Sequence, residues 1–299
     1  DWSSDVCSSD LYEHHAGGAQ EFHLVRCVRC DACYLNPRPT AAMLGRIYAR
    51  DSYYSLTFEE RSNRVVKLAK RRRDVNRMRT LTRVSRVPLA SMRILDVGAG
   101  DGGLLDGFRA AGVPSSQLYG VEIDGAAAAT LSARGFQAIA GRAEDLDVGP
   151  LRFDLITMIQ VIEHVAAPVQ VLRHLGTLLT PDGVVVLETP NLGSWERSLF
   201  ARRTWGGYHF PRHWTLWNQA TLLRTLDDAG LVPVSITTTA GAITWAWTIN
   251  HLLQDAGWSR AARFFSMQNP LALAPFWALE LLPAAFGSGG NLRVVARRR

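Results

Sequence analysis

At 299 residues and 47% hydrophobic, the chain can bury one large core with room for a small appendage, which argues against disorder as its dominant state. Lys and Arg number 33 against 27 Asp and Glu, and the formal charge of +6 suits nucleic acid or an anionic surface only where it is concentrated. Cys7, Cys27, Cys30 and Cys33 all lie near the start, a clustering that excludes a disulfide scaffold and favours a reducing, cytoplasmic setting with a local metal site.

Residues 1–11 read DWSSDVCSSDL, a polar, aperiodic stretch that resembles translated sequencing-adaptor sequence joined to a truncated gene, so it is set outside the fold. No charged n-region followed by an apolar run precedes the rest, and no secretory signal is predicted. Residues 12–39 form a cysteine-bearing segment in which Cys27 and Cys30, spaced C-x-x-C, offer half of a tetrahedral zinc site. Cys33, His23 or His14 can supply further ligands; small buried apolar cysteines are the alternative. Residues 40–90 read as a helical extension. The excess charge sits between Arg61 and Arg86, in a run including Lys70, Arg71, Arg72, Arg73, Arg77, Arg79 and Arg83. Val65, Val66, Leu68, Val75, Met78 and Leu81 recur there at helical spacing, so the helix either turns an apolar stripe to a core or lies on lipid or RNA.

From residue 91 onward, apolar runs of strand length alternate with helices. The predicted strands are Met92–Val97, Leu118–Ile123, Phe136–Ala140, Phe153–Ile159, Gly183–Glu188, Leu231–Thr237 and Asn291–Ala296. Helices are predicted over Leu104–Ala111, stopped by Gly112, and Ala126–Ala133, stopped near Gly135. Alternation with short connections implies right-handed crossovers and a doubly wound parallel sheet. Residues 241–287, rich in Trp, Leu and Ala, read as an apolar helical insertion before the last strand, interrupted at Pro270, Pro275 and Pro283. Asp255, Arg260, Arg263 and Glu280 make it a poor membrane span, leaving a peripheral membrane contact or a lid as its readings.

The first strand runs into Asp96-Val97-Gly98-Ala99-Gly100-Asp101-Gly102-Gly103 and then a helix. Glycines let backbone approach a ligand at a helix N-terminus, but the spacing of Gly98, Gly100 and Gly103 also fits a dinucleotide fingerprint. Charge separates the two readings. Asp96 and Asp101 repel a pyrophosphate by about several tenths to a few kcal/mol each at an effective dielectric near 20, and favour a ligand bearing an ammonium and a sulfonium, as S-adenosylmethionine does. Glu122 ends the second strand, where an acid accepts hydrogen bonds from ribose hydroxyls.

In combination these residues resemble the class I S-adenosylmethionine-dependent methyltransferases of the small-molecule subgroup, over residues 92–299. ILDVGAGDGG matches the family's nucleotide loop, GVEID its ribose acid, FDLITMIQVIEHV its fourth strand and following turn, and LTPDGVVVLETPN its fifth strand. The resemblance implies a Rossmann-like seven-stranded α/β sheet with the last strand antiparallel. It implies cofactor contacts from Asp96, Gly98, Ala99, Gly100, Gly102, Glu122, Ile123, Ala143, Glu144 and Gln160. Arg142 departs from the family, whose members often carry Asp there, so Glu144 or Asp145 is left for the adenine amino group. Residues 22–39 look like the second half of a zinc-ribbon-like appendage found before some relatives, with Cys27 and Cys30 as its metal ligands.

Methyl transfer from a sulfonium is an in-line displacement, and a base is needed only when the acceptor is protonated. His164, with Glu163 beside it, is the leading base candidate, and His213 in the PRHWT context is the second. The aromatic cluster of residues 205–214 offers Tyr208, His209, Arg212 and Trp214 to a planar or anionic acceptor, against the alternative of a packed loop whose Trp and His residues satisfy buried backbone groups. The acceptor is predicted to be a small molecule, lipid-linked, quinone-like or sugar-derived, methylated on oxygen in the leading reading and on carbon or nitrogen in the lesser one. An RNA methyltransferase using the basic helix and a non-catalytic scaffold of the same fold are the alternatives, and no oligomeric state is assigned.

Overall fold

The computed structural model describes residues 7–9, 22–40, 43, 47, 64–82, 87–200 and 205–299. His14, most of the adaptor-like start and most of 41–63, including Arg61, lie outside the described residues, as do Arg83 and Arg86. The chain divides into two compact units that interleave in sequence. One comprises Asp1–Tyr53, Thr189–Leu222 and Thr237–Arg293; the other comprises Tyr54–Glu188, Leu223–Ile236 and Val294–Arg299. The chain leaves the sheet unit after residue 188 and twice returns to it.

The central sheet is built from β4 (Ile94–Val97), β5 (Leu118–Glu122), β6 (Gln137–Ala140), β7 (Phe153–Ile159), β8 (Leu179–Pro190), β10 (Leu231–Thr239) and β11 (Asn291–Arg298). Its order is β10-β11-β8-β7-β4-β5-β6, a mixed, Rossmann-like sheet with the last strand antiparallel. The pairs β4–β5, β4–β7, β5–β6 and β7–β8 are parallel, and Asp96 stands opposite both Gly120 and Thr157. Every residue of β4 is buried, as a strand covered on both faces requires. Strand β8 is longer than Gly183–Glu188. Pro181-Asp182-Gly183 reads as a turn in sequence, yet a register shift between Phe153 and Leu155 lets the strand start at Leu179, opposite Phe153.

Helix α1 (Arg64–Thr82) precedes the sheet and packs against α2 (Gly103–Ala110). Asp74, Met78 and Leu81 are its buried positions, at the i, i+4, i+7 spacing of one helical face, while Arg71, Arg72 and Arg79 are exposed. Leu68, expected on the apolar stripe, is 54% exposed. The inward face begins instead with charge, since Lys70 and Arg77 turn toward carboxylates. The core beneath joins Met92, Ile94, Leu105, Phe108, Leu118 and Leu155. Helix α3 (Gly125–Ala133) follows β5, its first turn capped by the Asp124 carboxylate accepting from Ala127 N–H at 2.7 Å. Helix α4 (Pro168–Thr177) connects β7 to β8.

The other unit holds a four-stranded antiparallel sheet that sequence reasoning did not anticipate: β1 (Cys7–Ser9), β2 (Phe22–Arg26), β3 (Cys33–Asn36) and β9 (Thr215–Leu216), in that order. Leu24, Cys33, Leu35, Trp205, Tyr208 and Trp214 share its core. Short helix α5 (Trp195–Leu199) follows β8, and α6 (Gln219–Asp228) leads to β10.

The insertion is helical, as predicted, forming α7 (Ala242–Asp255), α8 (Ser259–Ala262) and α9 (Pro270–Ala285). The expected breaks are a correction: Pro270 opens α9 in its first turn, but Pro275 and Pro283 lie inside the helix. Tertiary packing offsets the lost backbone bonds. Trp245 of α7 stacks on Phe276 at 5.5 Å between ring centroids and donates Nε1–H to Glu280 at 2.9 Å, and Thr238 donates to the Ala284 carbonyl. Among the described residues no helix is long and apolar enough to cross a membrane.

Candidate active site

Where β4 ends, the chain turns back on itself through the glycines. Gly98 N–H and Ala99 N–H both donate to the Val121 carbonyl, and Gly102 N–H closes the turn onto Ala99. Gly98 has φ +77°, and a Cβ there would stand 2.4 Å from Val161 Cγ2, so no side chain fits. Gly100 differs: a Cβ on it would meet nothing within 4 Å, leaving an open cradle above the loop backbone. Gly100 N–H donates to Glu122 Oε2 at 2.8 Å and Ile123 N–H to Oε1 at 3.2 Å, which ties the loop to the end of β5. Each carboxylate oxygen keeps a lone pair for a further donor. Ile123 beside it is 45% exposed, an apolar surface next to an acid.

The charges around this loop are arranged differently from the sequence expectation. Asp96 is buried and accepts a hydrogen bond from Thr157 at 2.7 Å; burial pushes its carboxyl up to about 7, against the opposing effects of Thr157 and Arg77. Asp101 already has a cation, Lys70 at 2.8 Å, and its Oδ1 also accepts from Gly103 N–H at the start of α2. Of the two carboxylates credited with attracting a cation, one has its charged form disfavoured by burial and the other is compensated by Lys70. Glu122, raised by burial against the Gly100 and Ile123 hydrogen bonds, is the carboxylate closest to the open cradle.

Lys70 and Arg77 extend this network along α1. Lys70 bridges Asp74 at 2.9 Å and Asp101; Arg77 bridges Asp74 at 3.5 Å and Glu188 at 2.5 Å. The helix thereby links the glycine loop to the end of β8. Neither role was read from sequence, although the i, i+4 and i, i+3 spacing of Lys70, Asp74 and Arg77 was a local signal for ion pairing.

Of the remaining cofactor candidates, Ala143 is buried in a short turn (Ala143–Asp145) after β6. Glu144 accepts from Arg142 at 2.8 Å and from Ala166 N–H at 3.0 Å; burial raises its carboxyl, and these bonds outweigh it to hold the group below its usual range. Arg142 therefore occupies the very acid it left as a candidate. Gln160, at φ +57°, hands its N–H to the Glu188 carbonyl at 2.7 Å, making the sharp exit from β7. The next turn (Ile162–His164) buries Glu163 completely and leaves His164 half-buried.

In the other unit, the aromatic segment 205–217 is buried except for His209. Arg212 donates to the Ile47 carbonyl from Nε at 3.1 Å and Nη2 at 2.8 Å, and burial lowers its pKa to about 10. Trp214 donates to the Pro211 carbonyl, and His213 Nδ1 lies 2.8 Å from the Gly207 carbonyl. Tyr208 packs between Trp205 and Phe210. Tyr208, Arg212 and Trp214 are thus buried and each holds a partner inside the protein. His209 is the half-buried residue of this group, its ring stacked on Trp247 at 4.2 Å and on His213 at 5.0 Å.

Cys27 and Cys30 sit in the tight turn between β2 and β3, closed by Asp31 N–H donating to the Cys27 carbonyl. Hydrogen bonds from the Cys30 and Arg29 backbone hold the Cys27 thiol below its ordinary pKa. Cys33 is buried in the strand and burial raises its thiol, which fits the apolar reading of that residue. Among the described residues no third side chain joins Cys27 and Cys30 as a ligand.

Three comparisons bear on this arrangement. Residues 68–236, more than half of the chain, match a family model described as a methyltransferase domain. A ubiquinone biosynthesis O-methyltransferase of Caulobacter sp. is 34% identical over 112 residues, 36% of this chain and 44% of the relative. One of the same description from Cereibacter sphaeroides is 29% identical over 181 residues, 55% of this chain and 70% of that protein. The chain spans between 43% and 50% of the length of the first curated relatives it matches. Among solved structures, a Burkholderia thailandensis 1,6-didemethyltoxoflavin-N1-methyltransferase with bound S-adenosylhomocysteine has a TM-score of 0.52 at 16% identity, covering 95% of this chain and 98% of that one. Magnesium protoporphyrin IX methyltransferase from Synechocystis gives 0.51 at 14% identity, covering 85% and 100%.

Proposed function

The chain belongs to the methyltransferase-domain family, and from that membership we propose that it is a class I S-adenosylmethionine-dependent enzyme that methylates an oxygen of a small-molecule acceptor. The observation that carries the proposal is the loop at Gly98–Gly102 held against Glu122, with open space at Gly100. That space is a cradle of the kind a ligand's backbone-facing edge needs, and the carboxylate beside it retains acceptor capacity.

When bound, S-adenosylmethionine supplies an electrophilic methyl group on a sulfonium, open to in-line attack. The chain's own residues do the holding. Gly98, Ala99, Gly100 and Gly102 let the backbone approach; Glu122 accepts the ribose hydroxyls; and exposed Ile123 offers a surface to the adenine. Asp96 and Gln160, at the ends of adjacent parallel strands, stand at the edge where open α/β sheets take ligands, and Ala143 and Glu144 flank the next turn over.

An oxygen acceptor must lose a proton as it is methylated. His164, half-buried on the turn after β7, is the base in this proposal, its backbone fixed by N–H donation to the Val161 carbonyl and its neighbour Glu163 fully buried. His213 is the second candidate, and His209 is the face offered to the acceptor. Relatives described as ubiquinone biosynthesis O-methyltransferases support oxygen as the accepting atom and a phenolic, quinol-like acceptor. A zinc ion at Cys27 and Cys30 would need two ligands that the described residues do not bring to them, and the proposal does not include one.

Calorimetric titration with S-adenosylmethionine tests the cofactor step, with Glu122→Ala expected to weaken binding about tenfold or more, the scale of a lost charge-assisted hydrogen-bond pair. Mass spectrometry of reactions with catechol and quinol acceptors tests the transfer, and His164→Asn should lower kcat by about 10²- to 10⁴-fold while leaving cofactor binding intact. Absence of binding heat at millimolar S-adenosylmethionine would sink the whole reading. Full turnover in His164→Asn would remove only the base.

A further inference from the structure

Helix α9 presents its surface the wrong way round for a protein in water. Leu271, Ala274, Pro275, Ala278, Leu281 and Leu282 recur at i, i+3, i+4, i+7, i+10 and i+11, one face of the helix, and all are exposed. Leu271 is 74% exposed, Leu282 69% and Phe286, just past the helix, 83%. The opposite face, with Ala272 and Glu280, is the buried one. Glu280 is the helix's sole charged residue, and it is turned inward to accept from Trp195, Trp245, Gly241 N–H and Gly290 N–H. A helix that buries its carboxylate and shows leucines leaves a contiguous apolar surface in want of a cover.

The neighbouring segment says what kind of cover. Trp258, 66% exposed, and Phe264, 49% exposed, flank α8, and between them Arg260 and Arg263 are both exposed. From Ser259 to Gly287 the sequence holds one carboxylate, Glu280, and it is buried. A second copy of this chain pairing through α9 would bring those arginines to a helix whose single carboxylate, Glu280, is buried. A bilayer carrying anionic phospholipid supplies phosphates for the arginines, an interfacial layer for the tryptophans and an apolar interior for the leucines. At 16 residues α9 is about 24 Å long, shorter than a hydrocarbon core of about 30 Å, so it lies in the interface and does not cross it.

We propose that the exposed face of α9, with the arginines and aromatics bracketing α8, docks this protein on the surface of an anionic phospholipid bilayer. The test is flotation of the full chain with vesicles of phosphatidylglycerol mixed with phosphatidylcholine, and with phosphatidylcholine alone. The protein should float with the mixed vesicles, and less with the neutral ones. Leu281→Asp with Leu282→Asp should lower binding by roughly a hundredfold or more, the scale set by withholding two leucine side chains from an apolar medium. Arg260→Glu with Arg263→Glu should abolish the preference for the anionic vesicles. Leu271→Asp with Phe286→Asp provides a second disruption of the same face, and thermal melts establish that each variant is folded. Failure to float with either composition would overturn the proposal. So would a concentration-dependent dimer that the Leu281 and Leu282 changes dissolve, which would assign the face to a second copy.

Discussion

Asp96 shows how one side chain can carry both a fold and a chemical response. Its carboxyl is buried, bonded to Thr157 and raised to about 7, so between its ordinary value of 3.8 and 7 the folded protein holds a proton that the unfolded chain has released. The sign follows: this group's contribution to stability is full below its unfolded pKa and falls as pH rises through 7, where the buried carboxylate must ionise. Asp96→Asn removes that titration, so the stability of the wild type relative to the variant should fall from about pH 4 to about pH 7 and level off above, read by denaturant melts at each pH. A cationic ligand nearby would favour the ionised form. S-adenosylmethionine affinity is therefore expected to rise over the same range with proton release, seen by calorimetry in buffers of different ionisation enthalpy, and S-adenosylhomocysteine, which lacks the sulfonium charge, should show less of it. Equal proton release for both ligands would separate Asp96 from the sulfonium. At this scale Asp96, Gly98, Gly100 and Glu122 were legible because strand end, glycine turn and acid follow in fixed order. Thr157 and Val161 were not, because their partners lie about 60 residues away across a parallel strand pair.

Among the elements, α1 departs furthest from its sequence pattern. A basic helix with spaced apolar residues suggests a solvated arginine face, and Arg71, Arg72 and Arg79 do form one. Lys70 and Arg77 lie on the inward side, compensating Asp74, Asp101 and Glu188. Arg77→Ala would take the guanidinium away from buried Glu188 and leave Asp74 with Lys70 alone, and should cost about 3 to 5 kcal/mol in denaturant unfolding, with the tie between α1 and the end of β8 lost. A loss below about 1 kcal/mol would mean the pairs are solvent-screened. The prolines of α9 teach the converse: Pro275 and Pro283 read as breaks from local propensity, whereas stacking of Phe276 on Trp245 and the inward Glu280 keep the helix continuous.

For the molecule as a whole, the parallel strands at the centre of the sheet are bonded on both sides and fully covered. Amides of Ile94–Val97 and Leu155–Met158 should be the last to exchange with deuterium, well after those of α9, whose outer face meets solvent; mass spectrometry of peptic fragments measures this, and a faster centre than α9 would contradict the burial pattern. The sequence by itself determined the α/β class, the order of strands and helices, the glycine turn with its acid and the helical character of 241–287, because each is written in short-range periodicity or in adjacent residues. The tertiary structure alone decided that two units interleave, that a four-stranded sheet gathers residues 7–9, 22–36 and 215–216, that Arg212 donates to the Ile47 carbonyl and Trp214 to the Pro211 carbonyl, and that α9 faces outward. Those depend on which distant segments meet, and pairing energies between remote residues leave no period in the chain for a local reading to find.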